Sequence, residues 1–220
     1  EIRPRDWSSD VCSSDLRGFM AVTKTDGTMW SWGNNYNGQL GQNNRATYLQ
    51  VSSPKQIGAL TTWKTVGLGN AHGIALKTDG TMWSWGTGNF GELGALIDYN
   101  ADDTSMGQVG TLTNWKQVSV GGQLTVEAVK TDGTLWACGA STYGELGNGN
   151  TISYSSPIQI GSLTTWKQVA ATNFLSAAIK TDGTLWTCGY GALGRLGLGH
   201  TNNISSPVQV GSLSNWKAVS

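Results

Sequence analysis

The residues of this sequence that could bind a metal ion or act as acids and bases are few and widely spaced. Asp98, Asp102 and Asp103 form the densest acidic group, in the segment ALIDYNADDTSM, and carboxylate oxygens on a loop are suitable calcium ligands. Their spacing differs from that of an EF-hand loop, so we interpret the segment as a solvated loop. His72 and His200 lie far apart, in different sequence contexts. The pattern therefore predicts no metal site.

The candidate nucleophiles point to structure rather than to catalysis. A Ser or Cys nucleophile needs a His base and an acid that orients it, and the sequence shows no such group. No CxxC pair or His/Cys cluster has zinc spacing. The glycines do not form a GxGxxG or Walker pattern that opens a helix. We predict neither a catalytic residue nor a bound cofactor.

The composition disfavours nucleic acids and membranes as partners. Fourteen basic and fourteen acidic residues give a formal net charge of zero, so no basic field would attract nucleic acid or an anionic membrane. The longest apolar runs are far shorter than the ~20 residues that cross a bilayer. The 38% hydrophobic content, with eleven Trp, is sufficient for the core of one all-β domain.

One ten-residue stretch organises the rest of the chain. KTDGTMWSWG occurs at 24–33 and 77–86, KTDGTLWACG at 130–139 and KTDGTLWTCG at 180–189. A period of about 50 residues indicates a solenoid or a propeller. Each copy has an Asp-Gly pair between two strand-like runs, which is the strongest short-range signal for a β-hairpin. The predicted structural turn residues are Asp26, Gly27, Asp79, Gly80, Asp132, Gly133, Asp182 and Gly183.

Each repeat has the pattern of four short strands. The runs at 115–120, 125–130 and 134–139 alternate like half-buried strands, and the run at 156–161 supplies a fourth. Four strands per ~50 residues form the antiparallel sheet of a β-propeller blade. Alternate residues of the third strand share a face, so each Cys takes the place of a Trp and is expected to be a buried thiol. The predicted core residues are Trp30, Trp32, Trp83, Trp85, Trp136, Cys138, Trp186 and Cys188.

The chain divides into a leader and a repeat region. Residues 1–16 match no part of the repeat and are interpreted as a non-native or disordered leader; Asp6–Leu16 resembles a translated sequencing adapter, which favours an environmental bacterium or virus as the source. The repeats occupy 17–220. Their predicted boundaries are 17–62 for a partial unit, 63–114, 115–165 and 166–215 for complete units, and 216–220 for the start of another.

The motifs WKxV, TDGTLWxxG, GxLG and SPxQVG together resemble the repeat of the regulator of chromosome condensation family. GxLG occurs at 38–41, 91–94, 144–147 and 194–197, and the resemblance covers 17–220. It implies a propeller, usually of seven four-stranded blades around a central channel. Seven blades of about 51 residues need roughly 360 residues. We therefore expect an open arc of about four blades, with further repeats of the same chain needed to close the ring.

The predicted function is that of a non-enzymatic scaffold that binds another protein. Aromatic residues on the loops of a rigid scaffold often make such contacts, and the candidates are Tyr48, Tyr99 and Tyr154. Phe90 and Tyr143 are expected to pack under the GELG turns. Two alternatives stay open. The resemblance implies guanine-nucleotide exchange on the small GTPase Ran, although these units show no wedge-like insertion, and a glycan-binding propeller would use the three candidate tyrosines.

Overall fold

Alternating apolar runs and Gly-containing turns fold into antiparallel sheets in the described part of the chain. The structure is a computed structural model that describes residues 18–43, 50–88, 91, 93–94, 106–122 and 125–220. One short 3-10 turn, Ala192–Gly194, accompanies the strands. The strands are β1 (Phe19–Thr23), β2 (Met29–Asn34), β3 (Gln50–Gln56), β4 (Trp63–Leu68), β5 (His72–Lys77), β6 (Met82–Gly86), β7 (Gly107–Gln108), β8 (Trp115–Gly121), β9 (Thr125–Lys130), β10 (Leu135–Gly139), β11 (Tyr154–Gln159), β12 (Trp166–Ala171), β13 (Leu175–Lys180), β14 (Leu185–Gly189) and β15 (Ile204–Gln209).

Consecutive strands pair into four sheets, which we number blades 1 to 4. Blade 1 has three strands, β1 to β3, and blades 2 to 4 have four each: β4 to β7, β8 to β11 and β12 to β15. The last strand of each blade is an edge strand. Pro54, Pro157 and Pro207 lie in three of these edge strands, where the missing backbone N–H of proline is tolerated.

The blades lie side by side in an open arc. β1 packs against β4, β5 against β8, and β9 against β12. The first strands of blades 2 to 4, which are β4, β8 and β12, also contact one another in turn, and we call them the inner strands. The ring is not closed within the described residues. The predicted all-β propeller architecture, with about four blades in an open arc, is confirmed.

Apolar side chains fill the junctions between the blades. Cross-strand neighbours compensate for each other's size. The large Trp85 lies opposite Gly73, and the smaller Cys138 lies opposite the larger Val126. A Cβ atom on Gly73 would lie 2.2 Å from the Trp85 ring, so the indole requires glycine as its partner. The tryptophan that begins each inner strand is at most 4% exposed in the three blades that have one: Trp63, Trp115 and Trp166.

The GxLG loops fasten one blade to the next. The carbonyl of the residue before the Leu accepts a hydrogen bond from the following blade. Trp85 Nε1 donates to Gln39 O at 2.8 Å, and Ser176 Oγ donates to Glu145 O at 2.7 Å. These bonds fix the position of the loop that carries the motif. The Leu itself is buried in all four blades: Leu40, Leu93, Leu146 and Leu196.

Blades 3 and 4 are also joined along their inner strands. Gln117 Nε2 in β8 donates to Val169 O in β12 at 2.9 Å, and Gln117 Oε1 accepts from Val169 N at 3.0 Å. Ser119 Oγ accepts from Ala171 N at 3.0 Å. The amide of Gln117 thus occupies the backbone groups that β12 would otherwise offer to another strand.

Candidate protein-binding surface

The predicted hairpin turns share one hydrogen-bond arrangement in all four blades. In blade 3, Asp132 Oδ1 accepts from the backbone N of Thr134 at 3.0 Å and from its Oγ1 at 2.7 Å. The same Oγ1 accepts from Trp136 Nε1 at 2.8 Å. The bonds from Thr134 hold the pKa of Asp132 below its usual value. The hairpin carboxylates are therefore occupied within the turn. The turn glycines have φ between +77° and +79°: Gly27, Gly80, Gly133 and Gly183.

In blades 2 to 4, the lysine just before the hairpin turn lies over two tryptophan rings. Lys130 Nζ lies 3.5 Å from the ring centroid of Trp136 and 4.9 Å from that of Trp115. The two rings meet edge to face, with their centroids 5.9 Å apart. The same arrangement recurs in blades 2 and 4. These lysines are thus engaged inside their own blades.

The predicted core residues of the third strands differ in burial. Trp85, Cys138 and Cys188 are at most 3% exposed, and both cysteines are in the thiol form. Burial raises the pKa of Cys188, and Glu127 and Glu145 raise it further. Its thiol is therefore protonated at neutral pH, whereas nucleophilic cysteines are thiolates. The other predicted core residues are half-buried: Trp30, Trp32, Trp83, Trp136 and Trp186.

His72 and Glu127 are buried ionisable groups outside the hairpin turns. Burial lowers the pKa of His72 to about 4, so its imidazole is neutral at pH 7. Burial raises the pKa of Glu127 well above its usual value, which favours the neutral form of its carboxyl group. Glu127, Ser176 and Cys188 line a cavity of about 10 Å³ between blades 3 and 4. A space of this size holds about one water molecule, which is too small for a substrate.

An aromatic patch forms where three loops of blades 3 and 4 meet. The ring centroids of Tyr143 and Tyr190 are 4.4 Å apart, and Phe174 meets them edge to face at 6.2 and 6.0 Å. The Arg195 guanidinium carbon lies 4.7 Å from the Tyr190 centroid and 5.8 Å from that of Phe174. Leu193 belongs to the same loop as Arg195. We call Tyr143, Phe174, Tyr190, Leu193 and Arg195 the aromatic rim.

Backbone hydrogen bonds hold the rim loops in place. Tyr143 N donates to Glu145 Oε2 at 2.7 Å, and Tyr190 N donates to Phe174 O at 2.8 Å. Arg195 Nε donates to Ala192 O at 2.9 Å. The terminal guanidinium nitrogens of Arg195 make no hydrogen bond or ion pair to other described residues, so they can reach a ligand.

Leu193 is the most exposed apolar group of the rim. Its side chain is 92% exposed and its φ is +62°, a left-handed conformation that costs a residue with a Cβ roughly 1–2 kcal/mol. Phe174 is 40% exposed. Strained backbone of this kind is concentrated at active sites, ligand clamps and switch regions.

The structure describes only one of the three tyrosines predicted to make contacts. Tyr154 is half-buried in β11, packs against the core of blades 3 and 4, and its hydroxyl accepts from Asn150 Nδ2 at 3.4 Å. Tyr48 and Tyr99 lie outside the described residues. The sequence-based selection missed Phe174 and Tyr190, although both are aromatics in loops next to strand ends, the signal that singled out the tyrosines.

Within the described residues, no helix is long and apolar enough to cross a membrane. The same residues contain no group of three His, Cys, Asp or Glu side chains that could hold a metal ion. The calcium candidates Asp98, Asp102 and Asp103, and Phe90 of the first GELG turn, lie outside the described part.

Comparison with known proteins decides the family of this chain. The profile of the regulator of chromosome condensation (RCC1) repeat matches residues 26–76, 132–179 and 182–220, which is more than half of the chain. The chain belongs to the RCC1 repeat family. A second profile of the same repeat matches residues 63–92. The resemblance inferred from the motifs is thus confirmed.

Curated RCC1 relatives match a large part of this chain but are longer than it. The mitochondrial RCC1 domain-containing protein RUG3 of Arabidopsis thaliana is 31% identical over 159 residues, which cover 70% of this chain and 35% of RUG3. The human E3 ubiquitin-protein ligase HERC2 is 29% identical over 145 residues, which cover 64% of this chain and 3% of HERC2. The chain therefore spans about a third or less of these relatives.

A solved structure supports the propeller fold. Prp20p from Saccharomyces cerevisiae, a protein studied for its binding to Gsp1p and histones, superimposes with a TM-score of 0.74 at 23% sequence identity. The match covers 89% of this RCC1-repeat chain and 49% of the Prp20p chain. At this identity the likeness shows the fold alone.

Proposed function

We propose that this RCC1-repeat chain is a non-enzymatic scaffold that binds another protein through its aromatic rim. The observation that carries the proposal is Leu193, which is 92% exposed on left-handed backbone in a loop that also places Arg195 against the rings of Tyr190 and Phe174. Exposure of Leu193 gives the free protein no stabilisation, whereas a partner that covers its side chain would gain about 2 kcal/mol from the buried apolar surface.

The chemistry of the rim fits a protein partner. Tyrosine and arginine are enriched among the residues that dominate binding energy at protein interfaces. The rings of Tyr190 and Phe174 and the bond to Ala192 O restrict the Arg195 side chain, so little side-chain entropy would be lost on binding. A partner with an apolar side chain for Leu193 and a carboxylate for Arg195 would complement the rim.

The rim is also well supported by the fold. Its loops belong to two blades that are joined by Gln117 and by the bond from Ser176 to Glu145. A binding surface on rigid elements is already ordered before the partner arrives. The relatives support a protein partner in a general way, because Prp20p has been studied for binding to Gsp1p and histones.

A peptide selection tests the proposal. A phage-displayed peptide library would be selected against the whole chain, and the enriched peptides measured by biolayer interferometry on two variants. Leu193→Asp places a charge in the rim, and Asp tolerates a positive φ better than Leu, so the loop is expected to keep its shape. Leu60→Asp is the matched control, because Leu60 is 47% exposed and lies after β3 in blade 1.

Enriched peptides should bind the Leu193→Asp variant at least tenfold more weakly than the native chain and bind the Leu60→Asp variant normally. Equal binding of the peptides to both variants would show that the rim is not the protein-binding surface. The alternatives predict other results: faster nucleotide release from a small GTPase would show an exchange factor, and a glycan-array signal that survives Leu193→Asp would show a glycan-binding propeller.

A further inference from the structure

A groove runs along the inner strands, away from the aromatic rim. It has a volume of about 530 Å³ and is bounded by β4, β8, β12 and residues 219–220. Lys167 and Phe174 lie towards opposite ends of β12, because Lys167 is at the start of the strand and Phe174 follows its end. The lysine end of the inner strands is therefore separated from the rim by the length of a strand. We call this space the inner groove.

The charged side chains that line the inner groove are both lysines. Lys64 and Lys116 hold the second position of β4 and β8, directly after the buried Trp, and both are exposed. Lys64 Nζ donates to the backbone O of Lys116 at 3.2 Å, so the Lys64 side chain reaches across the gap between blades 2 and 3. The repeat continues this row with two more exposed lysines at the same motif position, Lys167 and Lys217.

No Asp or Glu side chain of the described residues forms an ion pair with these lysines. The groove lining contains no Asp or Glu, and the ion pair found among the described residues joins Lys24 to Asp26. Glu127 and Glu145 are at most 3% exposed. Neighbouring ammonium groups repel each other, so a ligand that brings negative charge between the blades would be stabilised there.

Two other polar side chains of the groove, Gln117 and Ser119, are already engaged. The Gln117 amide pairs with both backbone groups of Val169, and Ser119 accepts from Ala171. An ammonium group has three donors, and Lys64 uses one of them on a neutral carbonyl. The cations of the lining are therefore available to a ligand, and they recognise negative charge rather than a particular sequence.

We propose that the inner groove binds an extended acidic peptide whose carboxylates pair with Lys64 and Lys116. The strand β8 is seven residues long, so a peptide of about the same length would follow it. A peptide suits the groove better than a single-stranded nucleic acid does, because the described lining has no aromatic side chain on which bases could stack.

A charge-matched pair of double variants tests this site. A fluorescein-labelled oligoglutamate of about eight residues, as long as β8, would be titrated with the whole chain at low ionic strength and followed by fluorescence anisotropy. Lys64→Gln/Lys116→Gln removes the groove charges. Lys24→Gln/Lys55→Gln removes the same net charge from blade 1, outside the groove lining. Thermal melting of each variant checks that the lysine changes leave the fold intact.

The groove variant should bind oligoglutamate at least fivefold more weakly than the native chain, with a smaller salt dependence, and the blade 1 variant should bind within twofold of the native chain. The proposal is overturned if the native chain does not bind oligoglutamate, if both variants lose affinity equally, or if labelled oligo-dT binds the groove more tightly. These results do not depend on the rim, because Leu193→Asp is expected to leave oligoglutamate binding unchanged.

Discussion

Replacing Gly133 with Ala should destabilise the chain much more than the same change at Gly161. Both glycines have a positive φ, +78° for Gly133 and +62° for Gly161. A Cβ atom on Gly133 would lie 2.1 Å from the backbone O of Thr164, whereas a Cβ on Gly161 meets no atom within 4 Å. The Gly133 carbonyl also accepts from Trp166 N at 3.0 Å. The two sites therefore share the backbone strain and differ in the close approach of blade 4.

The expected difference follows from these two terms. A left-handed conformation costs Ala about 1 kcal/mol relative to Gly, and this is the whole effect expected for Gly161→Ala. At Gly133 the blocked approach adds about 2 kcal/mol, a typical penalty for forcing extra volume into a packed region. We expect Gly133→Ala to lower the free energy of unfolding by about 3 kcal/mol in total.

Urea denaturation followed by tryptophan fluorescence measures both effects. Repeat proteins can unfold in several steps, so the midpoint of the transition and its slope are both compared with those of the native chain. The Gly133→Ala midpoint should fall well below that of Gly161→Ala. Equal midpoints for the two variants would refute the reasoning, because the hairpin of blade 3 would then not lie against the chain that enters blade 4.

Three further changes test the interactions that recur in the blades. Lys130→Met removes an ammonium group from between two tryptophans and should cost about 1 kcal/mol; in urea denaturation Lys24→Met should cost less, because Lys24 forms only an exposed ion pair and a distant ring contact. Thr134→Val leaves the Trp136 indole N–H without its partner and should cost about 1–2 kcal/mol by the same assay; no loss would show that water replaces the hydroxyl. Glu127→Gln should change the pH dependence of stability: the raised pKa means that the native carboxyl group is stabilising below its unfolded value of 4.5 and that this contribution is lost as the pH rises. The variant should therefore have a higher melting temperature than the native chain at pH 8, and this difference should be smaller near pH 4. A difference in melting temperature that does not vary with pH would contradict this.

The local features of the fold could be predicted from the sequence because they depend on short-range chemistry. The Asp-Gly pair at Asp132 and Gly133 determines a tight turn through residues that are neighbours in the chain. Alternation of apolar residues then places Cys138 on the same face as Trp136. Repetition of these signals at a period of about 50 residues indicates a solenoid or a propeller, and four short strands in each unit favour the propeller.

The aromatic rim was not predictable in the same way. Tyr143, Phe174 and Tyr190 come from three separate loops, and their contact depends on how blade 4 lies against blade 3. The sequence showed Tyr143 only as an aromatic in a GELG loop. The positive φ of Leu193 also has no sequence signal, since Leu rarely adopts this conformation.

The role of the GxLG motif shows the same limit. Its glycines and Leu146 repeat with the period of the blade, which indicates a structural element, but the sequence does not show what the element contacts. The bond from Ser176 to the Glu145 carbonyl joins positions in two blades. Such a contact is defined by the arrangement of the sheets and not by any local pattern.

Hydrogen–deuterium exchange of the whole chain with and without a selected peptide ligand tests the central claim most directly. Binding through the aromatic rim predicts that added protection is concentrated in the loops at 141–146, 172–175 and 189–195, with little change at the hairpin turn around Gly133. Protection confined to the hairpin turns or to the edge strands, with these three loops unchanged, would contradict the claim that the rim is the protein-binding surface.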